Sequence, residues 1–152
     1  MDYEVKVNGT GCYDNKLENC KKYGRLYNWK RAEEVCPIGW HLPSKEEWDI
    51  LTAKVGGEEK AGKLLKSKSG WNNYKEQSGN GTDNYGFSAL PSGYYHQDRG
   101  FKDVGNFGYL WSSTEGGAYS AYSILFAFLN EDIRIDTQDK SYNLFNVRCV
   151  KD

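Results

Sequence analysis

At 152 residues the chain is sized for one folding unit and is long enough to bury roughly 70% of the surface its unfolded form exposes. Its 20 basic and 21 acidic residues leave a net charge of −1, which excludes a global field attracting nucleic acid or anionic lipid. No apolar run approaches the ~20 residues of a membrane span. Mean hydropathy is −0.81, aromatics make up 15%, and 17 glycines stand against 3 prolines, a balance suited to a loop-rich core built from large rings.

Residues 1–19 read as a polar, extended lead-in, and residues 1–152 as a single domain with no linker or repeat. Tyr23 to Tyr27 reads as a short strand. Trp29, Ala32 and Cys36 share a helical face that Pro37 ends. The firmest helix start lies at Leu42-Pro43-Ser44-Lys45-Glu46-Glu47. Pro43 biases Leu42 toward extended backbone, and Ser44 with Glu47 makes a capping box. Trp48, Leu51, Thr52 and Val55 then recur at helical spacing, and Gly56-Gly57 stops the helix. Ala61, Leu64 and Leu65 suggest a further helix over Glu58 to Lys66. Asn72 to Asn84 reads as a polar loop. Short strands follow over Gly86–Tyr95 and Gly108–Thr114. Tyr122–Leu129 and Ile133–Asp136 form a hairpin across Asn130-Glu131-Asp132, and Leu144–Val150 is the last strand. Two to three early helices followed by short antiparallel strands and long loops make an α+β fold.

The four cysteines, Cys12, Cys20, Cys36 and Cys149, lack the spacing of a zinc or redox motif. An even count reads as two disulfides, and four cysteines allow three pairings. The favoured one is a local Cys12–Cys20 clip with a long Cys36–Cys149 staple. Such bonds form in an oxidising compartment, so the chain is expected to be secreted, periplasmic or on the outer surface, its leader absent from this sequence.

Four ordered stretches carry a family resemblance. They are Gly39-Trp40-His41-Leu42-Pro43-Ser44-x-x-Glu47-Trp48, Gly79 to Tyr94, Gly108-Tyr109-Leu110-Trp111-Ser112-Ser113-Thr114-Glu115, and Val147-Arg148-Cys149-Val150. Together they resemble the Fibrobacter succinogenes major paralogous domain of secreted and surface proteins of Bacteroidetes and Fibrobacteres, over about Cys12 to Asp152. A more distant likeness is to formylglycine-generating-type domains, with their R-L-P-T-x-x-E-W stretch and G-F-R-C ending. The resemblance implies a C-type-lectin-like fold and no particular activity. It also bears on enzyme readings. Formylglycine-generating oxidases carry a reactive cysteine pair just before the ending, and Asp136–Asn146 holds no cysteine, so the nucleophiles are missing. A three-histidine iron site, as in the sulfoxide-synthase branch, cannot be built from two histidines, His41 and His96. His41 stands where the distant relatives have Arg and reads as a structural hydrogen-bond donor.

The functional signal that remains lies in Tyr/Ser/Asn/Gly loops, the composition of adaptable binding surfaces. The ligand-binding candidates are Tyr95, His96, Asp98, Asn106, Glu115 and Tyr119; Trp111, Phe87 and Phe107 are assigned to packing. Asn80, Asp83 and Asn84 are candidate calcium ligands in a loop that does not fit the EF-hand pattern; no other cofactor is expected. The expected function is non-catalytic recognition of a glycan or a surface protein, without nucleic acid or a membrane span. The alternatives are a carboxylate- or metal-dependent enzyme and a purely structural module of a surface assembly.

Overall fold

The computed structural model of the protein describes residues 9–152; the first part of the expected lead-in, 1–8, lies outside the described residues. The remainder of that lead-in is more structured than expected. Strand β1 (Thr10–Gly11) pairs antiparallel with β2 (Leu26–Tyr27), and between them lie a 3-10 turn at Tyr13–Asn15 and helix α1 (Leu17–Tyr23). Glu18 in the first turn and Lys21 and Lys22 in the last complement the helix dipole, and Gly24 at φ 82° ends it. The Cys12–Cys20 disulfide closes this segment, so a stretch read as extended is a clipped helical turn.

Helix α2 (Trp29–Ala32) starts where Asn28 accepts a hydrogen bond from the Arg31 N–H at 3.0 Å, and it is shorter than the expected run to Cys36. Strand β3 (Trp40–His41) leads into α3 (Lys45–Lys54), whose capping box forms as expected. The Glu47 N–H donates to Ser44 Oγ at 3.2 Å, and the Ser44 N–H donates to the Glu47 carboxylate at 2.9 Å. Such a cap contributes about 1 kcal/mol. Trp48 and Thr52 form its buried face. Helix α4 (Glu58–Leu65) follows, so among the described residues four α-helices precede the main sheet where two to three were expected.

Lys66, immediately after α4, is 2% exposed. Its ammonium donates to the carbonyls of Ala127 (2.8 Å) and Asn130 (3.0 Å) and lies 5.1 Å from the Trp71 ring centre. Burial pushes its pKa down to about 8. The side chain thus ties α4 to the far end of the sheet.

The hairpin of β4 (Asn73–Tyr74) and β5 (Gln77–Ser78) interrupts the expected polar loop. The main sheet then assembles from β6 (Ser92–His96), β7 (Gly100–Val104), β8 (Phe107–Gly117), β9 (Ser120–Ala127), β10 (Ile133–Asp139) and β11 (Asn143–Leu144), in the order β10-β9-β8-β6-β11 with β7 also paired to β6. Strand β6 starts later than expected, because Gly86–Pro91 is irregular, with Ser88 at φ 51° bonding back to Asp83; the strand expected over Tyr23–Tyr27 is likewise shortened to β2, since Tyr23 closes α1. Strand β7 forms where no strand was expected, since Phe101 packs its ring 5.0 Å from Tyr95 across the pair. The last expected strand is broken into β11, single bridges from Phe145 to Tyr27 and from Asn146 to Leu110, and β12 (Val150–Lys151), which pairs with β3. Beside it the Cys36–Cys149 disulfide joins the α2 region to the chain's final segment. With its helices gathered ahead of an almost wholly antiparallel sheet, the fold is α+β. Among the described residues no helix is long and apolar enough to cross a membrane.

Strands β6 and β8 run parallel and pair at a single register, Gly93 with Gly108. Gly93 has φ 63°, and a Cβ there would collide with the Lys102 carbonyl; one at Gly108 would collide with the Leu90 carbonyl. Glycine is therefore required at both positions, at Gly93 by the close approach of β7 and at Gly108 by the segment that enters β6.

His41, on β3, spans two carboxylates. Its Nδ1 lies 2.6 Å from Asp152 Oδ1 and its Nε2 lies 2.9 Å from Glu47 Oε1. Carboxylate oxygens only accept, so the protonated ring is the form that donates to both. The hydrogen bond to Asp152, then the one to Glu47, raises the His41 pKa above its ordinary 6.5. A raised folded-state value means stabilisation that is fully present below the unfolded value and lost as pH rises through the folded one. Thermal melts should therefore show His41→Gln destabilising the protein at about pH 5.5 and converging with wild type by about pH 9. The effect should be small, because the ring is exposed and screened. A gap that widens toward alkaline pH would contradict the assignment.

Candidate functional site

The expected ligand residues do not converge on one place. Strand alternation separates the first two: along β6, Tyr94 and His96 face one side and Tyr95 the other. The Tyr95 ring packs on Phe101, which in turn packs on Tyr13 at 5.1 Å, and it borders the cluster of Tyr13, Leu26 and Leu144. Tyr95 is thus a half-buried packing residue. Asp98 is exposed in the β6–β7 turn, where its N–H donates to His96 Nδ1 at 3.2 Å. Asn106 holds loops together: its Oδ1 accepts from Asn72 Nδ2 at 2.9 Å and its carbonyl accepts from the Phe128 N–H at 2.8 Å. Glu115 lies on β8 and accepts from Lys140 Nζ at 2.7 Å. Tyr119, 79% exposed, sits at the tip of the β8–β9 hairpin.

Two of the three candidate calcium ligands, Asn80 and Asp83, turn their side-chain oxygens to the backbone. Asn80 Oδ1 accepts from the Trp71 N–H at 3.0 Å, and the Asp83 carboxylate accepts from the Ser88 N–H at 2.7 Å and from the Ser88 hydroxyl. Asn84 is exposed, its N–H donating to the Leu64 carbonyl. Among the described residues no cluster of three or more His, Cys, Asp or Glu is placed to hold a metal ion.

One expected residue, His96, does line a cleft, of about 270 Å³. Its aromatic wall is Tyr94, Tyr109 and Phe145; its polar groups are His96, Arg99, Thr137, Gln138, Asp139 and Asn143. The rings form a continuous stack out of the core. Trp111, 0% exposed, lies 4.4 Å from Phe145; Phe145 lies 4.4 Å from Tyr109 in near-parallel contact; Tyr94 meets Tyr109 edge-on at 5.3 Å. Burial pushes the Tyr109 hydroxyl up to about 12, so it stays a neutral donor and acceptor.

The polar rim is also fixed. The His96 ring stacks on Tyr142, and because Nδ1 accepts the Asp98 N–H, the neutral ring carries its proton on Nε2 and can donate from there. Asp139 Oδ1 accepts from the N–H groups of Ser141 (2.7 Å) and Tyr142 (2.9 Å), and its carbonyl accepts from Asn143 Nδ2. The cleft therefore sets the half-buried rings of Tyr94 and Tyr109 beside a guanidinium, an imidazole, amides and a carboxylate. It can hold a hydroxylated ring by stacking and planar hydrogen bonds. Thr137, Gln138 and Asp139 escaped sequence reading because β10 extends past Asp136, and nothing local marks that extension. Tyr94 carried a usable signal, since it shares the His96 face by two-residue periodicity.

Comparison with curated proteins and with solved structures returns no match. The model of the Fibrobacter succinogenes major domain matches residues 1–151, and the chain belongs to that family.

Proposed function

We propose that the protein is a non-catalytic binding module of C-type-lectin-like fold, acting at the cell surface or outside the cell, which takes a saccharide in the cleft between β6, β8 and β10. The observation carrying this reading is the cleft in which the half-buried rings of Tyr94 and Tyr109, backed by the buried Phe145 and Trp111, meet a rim of His96, Arg99 and Asp139. Rigid rings with adaptable polar neighbours suit a sugar's mixed surface. Two disulfides support the extracellular reading, because such bonds persist in oxidising compartments. Binding is calcium-independent on this account, since Asn80 Oδ1 and the Asp83 carboxylate already accept backbone N–H groups. The non-catalytic reading also has support: burial and neighbouring Glu115 raise the Glu33 pKa, but both carboxylates are exposed, Lys140 pairs with Glu115, and neither lines the cleft.

A glycan array run with and without a chelator tests this. The expected result is saccharide binding unchanged by the chelator and weakened about five-fold or more, equivalent to ~1 kcal/mol, by Arg99→Ala and by His96→Ala, with melting temperatures near wild type. Binding that survives both substitutions, or turnover of the bound saccharide seen by mass spectrometry, would overturn the reading.

A further inference from the structure

A second and larger cleft, about 440 Å³, lies between the end of α1, the β2 segment and the final stretch Asn146–Cys149. Its charges are segregated. Lys21, Lys22, Arg25 and Arg148 line it, and among the described residues no Asp or Glu does. The whole chain balances 20 basic against 21 acidic residues, so this one-signed lining is a local arrangement. Lys21, Lys22 and Arg148 form no ion pair among the described residues. Lys22 Nζ lies 4.7 Å from the ring centre of Tyr23, which also lines the cleft, while Arg148 stands between this cleft and a neighbouring one, its guanidinium 4.6 Å from the ring centre of Phe87 in the latter. A concave surface of one sign with low-dielectric walls focuses the field and concentrates ions of the opposite sign.

The rest of the lining narrows the ligand. Half-buried Tyr23, Tyr27 and Tyr109 contribute rings, and Tyr109 borders the first cleft as well. A peptide that binds by adding a strand would need a free strand edge to hold its backbone. The bordering strands are already engaged: β2 with β1, Tyr27 with Phe145, Leu110 with Asn146, and Gly108 with Gly93. Rings and cations without a strand edge fit a sugar chain that carries anionic groups. We propose that this second cleft binds an anionic saccharide, its carboxylate or sulfate groups set against Lys21, Lys22 and Arg148 and its sugar rings against the tyrosines.

The test is calorimetric titration at about 50 mM salt with an oligogalacturonate and a sulfated oligosaccharide of equal length, which separates carboxylate from sulfate recognition. The probes are the wild type, Lys21→Glu/Lys22→Glu, Arg148→Gln and Arg99→Ala. Lys21 and Lys22 are exposed, so the double variant should keep its fold, to be checked by its melting temperature. The expected result is binding of at least one anionic oligosaccharide, weakened at least ten-fold by the double variant and by Arg148→Gln, and unaffected by Arg99→Ala in the first cleft. A neutral oligosaccharide of the same length should show no sensitivity to the double variant. The proposal is overturned if neither anionic oligosaccharide binds, if the double variant binds as wild type does, or if single-stranded DNA or an acidic peptide of equal charge competes equally well. Loss of binding in Arg99→Ala alone would assign the anionic ligand to the first cleft and overturn the second.

Discussion

Trp111→Ala should lower stability by about 5 kcal/mol, and the variant should be largely unfolded if wild-type stability lies near the bottom of the usual range. The side chain is 0% exposed and sits among Trp29, Ala32, Leu42, Ala121 and Phe145. Truncating a buried Trp costs about 3–5 kcal/mol through lost transfer energy and the cavity left behind. A further ~1 kcal/mol follows from the hydrogen bond that the indole N–H donates to the Tyr27 carbonyl at 2.8 Å. That carbonyl also accepts from the Phe145 N–H at 3.0 Å, so it is not left wholly unpaired. Trp111→Phe keeps a ring against Phe145 and should cost about 2 kcal/mol. Urea melts of the two variants separate ring packing from the hydrogen bond. A loss below ~1 kcal/mol for Trp111→Ala would place the core elsewhere.

The second large effect concerns the long disulfide. Cys36 and Cys149 are 113 residues apart, and in the chain-entropy model closing so long a loop is worth about 5 kcal/mol. The Cys12–Cys20 loop, 8 residues apart, is worth about 2.5 kcal/mol. Cys36→Ala/Cys149→Ala should therefore melt well below Cys12→Ala/Cys20→Ala, and both below wild type. The longer bond has a structural consequence beyond entropy. It anchors the segment between Phe145 and β12, and so fixes the floor of the first cleft and one wall of the second. Equal melting temperatures for the two double variants would contradict this ordering.

What could be read from the sequence was what short-range signals determine. The start of α3 followed from Ser44, Glu47 and Pro43, all within a few residues, and the structure places both capping hydrogen bonds there. The disulfide pairing followed from the contrast between one short and one long separation. Strand β7 was not legible because Lys102 and Asp103 give it a polar look; its state is set by Tyr95 and Phe101 meeting across the sheet. Lys66 reads as a surface charge at a helix end, and only the fold brings the Ala127 and Asn130 carbonyls to its ammonium. The candidate site shows the same limit. His96 was legible as a polar residue in an aromatic stretch, whereas Thr137–Asp139 reach it only through the register of β10 on β9 and of β9 on β8. Tyr95 was grouped with His96 because they are adjacent in sequence, and in a strand adjacency means opposite faces.

The most direct measurement is an amide-resolved NMR titration of the protein with the best saccharide from the array. The account predicts that the largest shifts fall on His96, Arg99, Gln138 and Asp139, with ring-current changes near Tyr94 and Tyr109 and no response at Asn80 or Asp83 when calcium is added. Shifts centred instead on the Tyr119 hairpin tip, or a calcium-dependent response around Asp83, would contradict it.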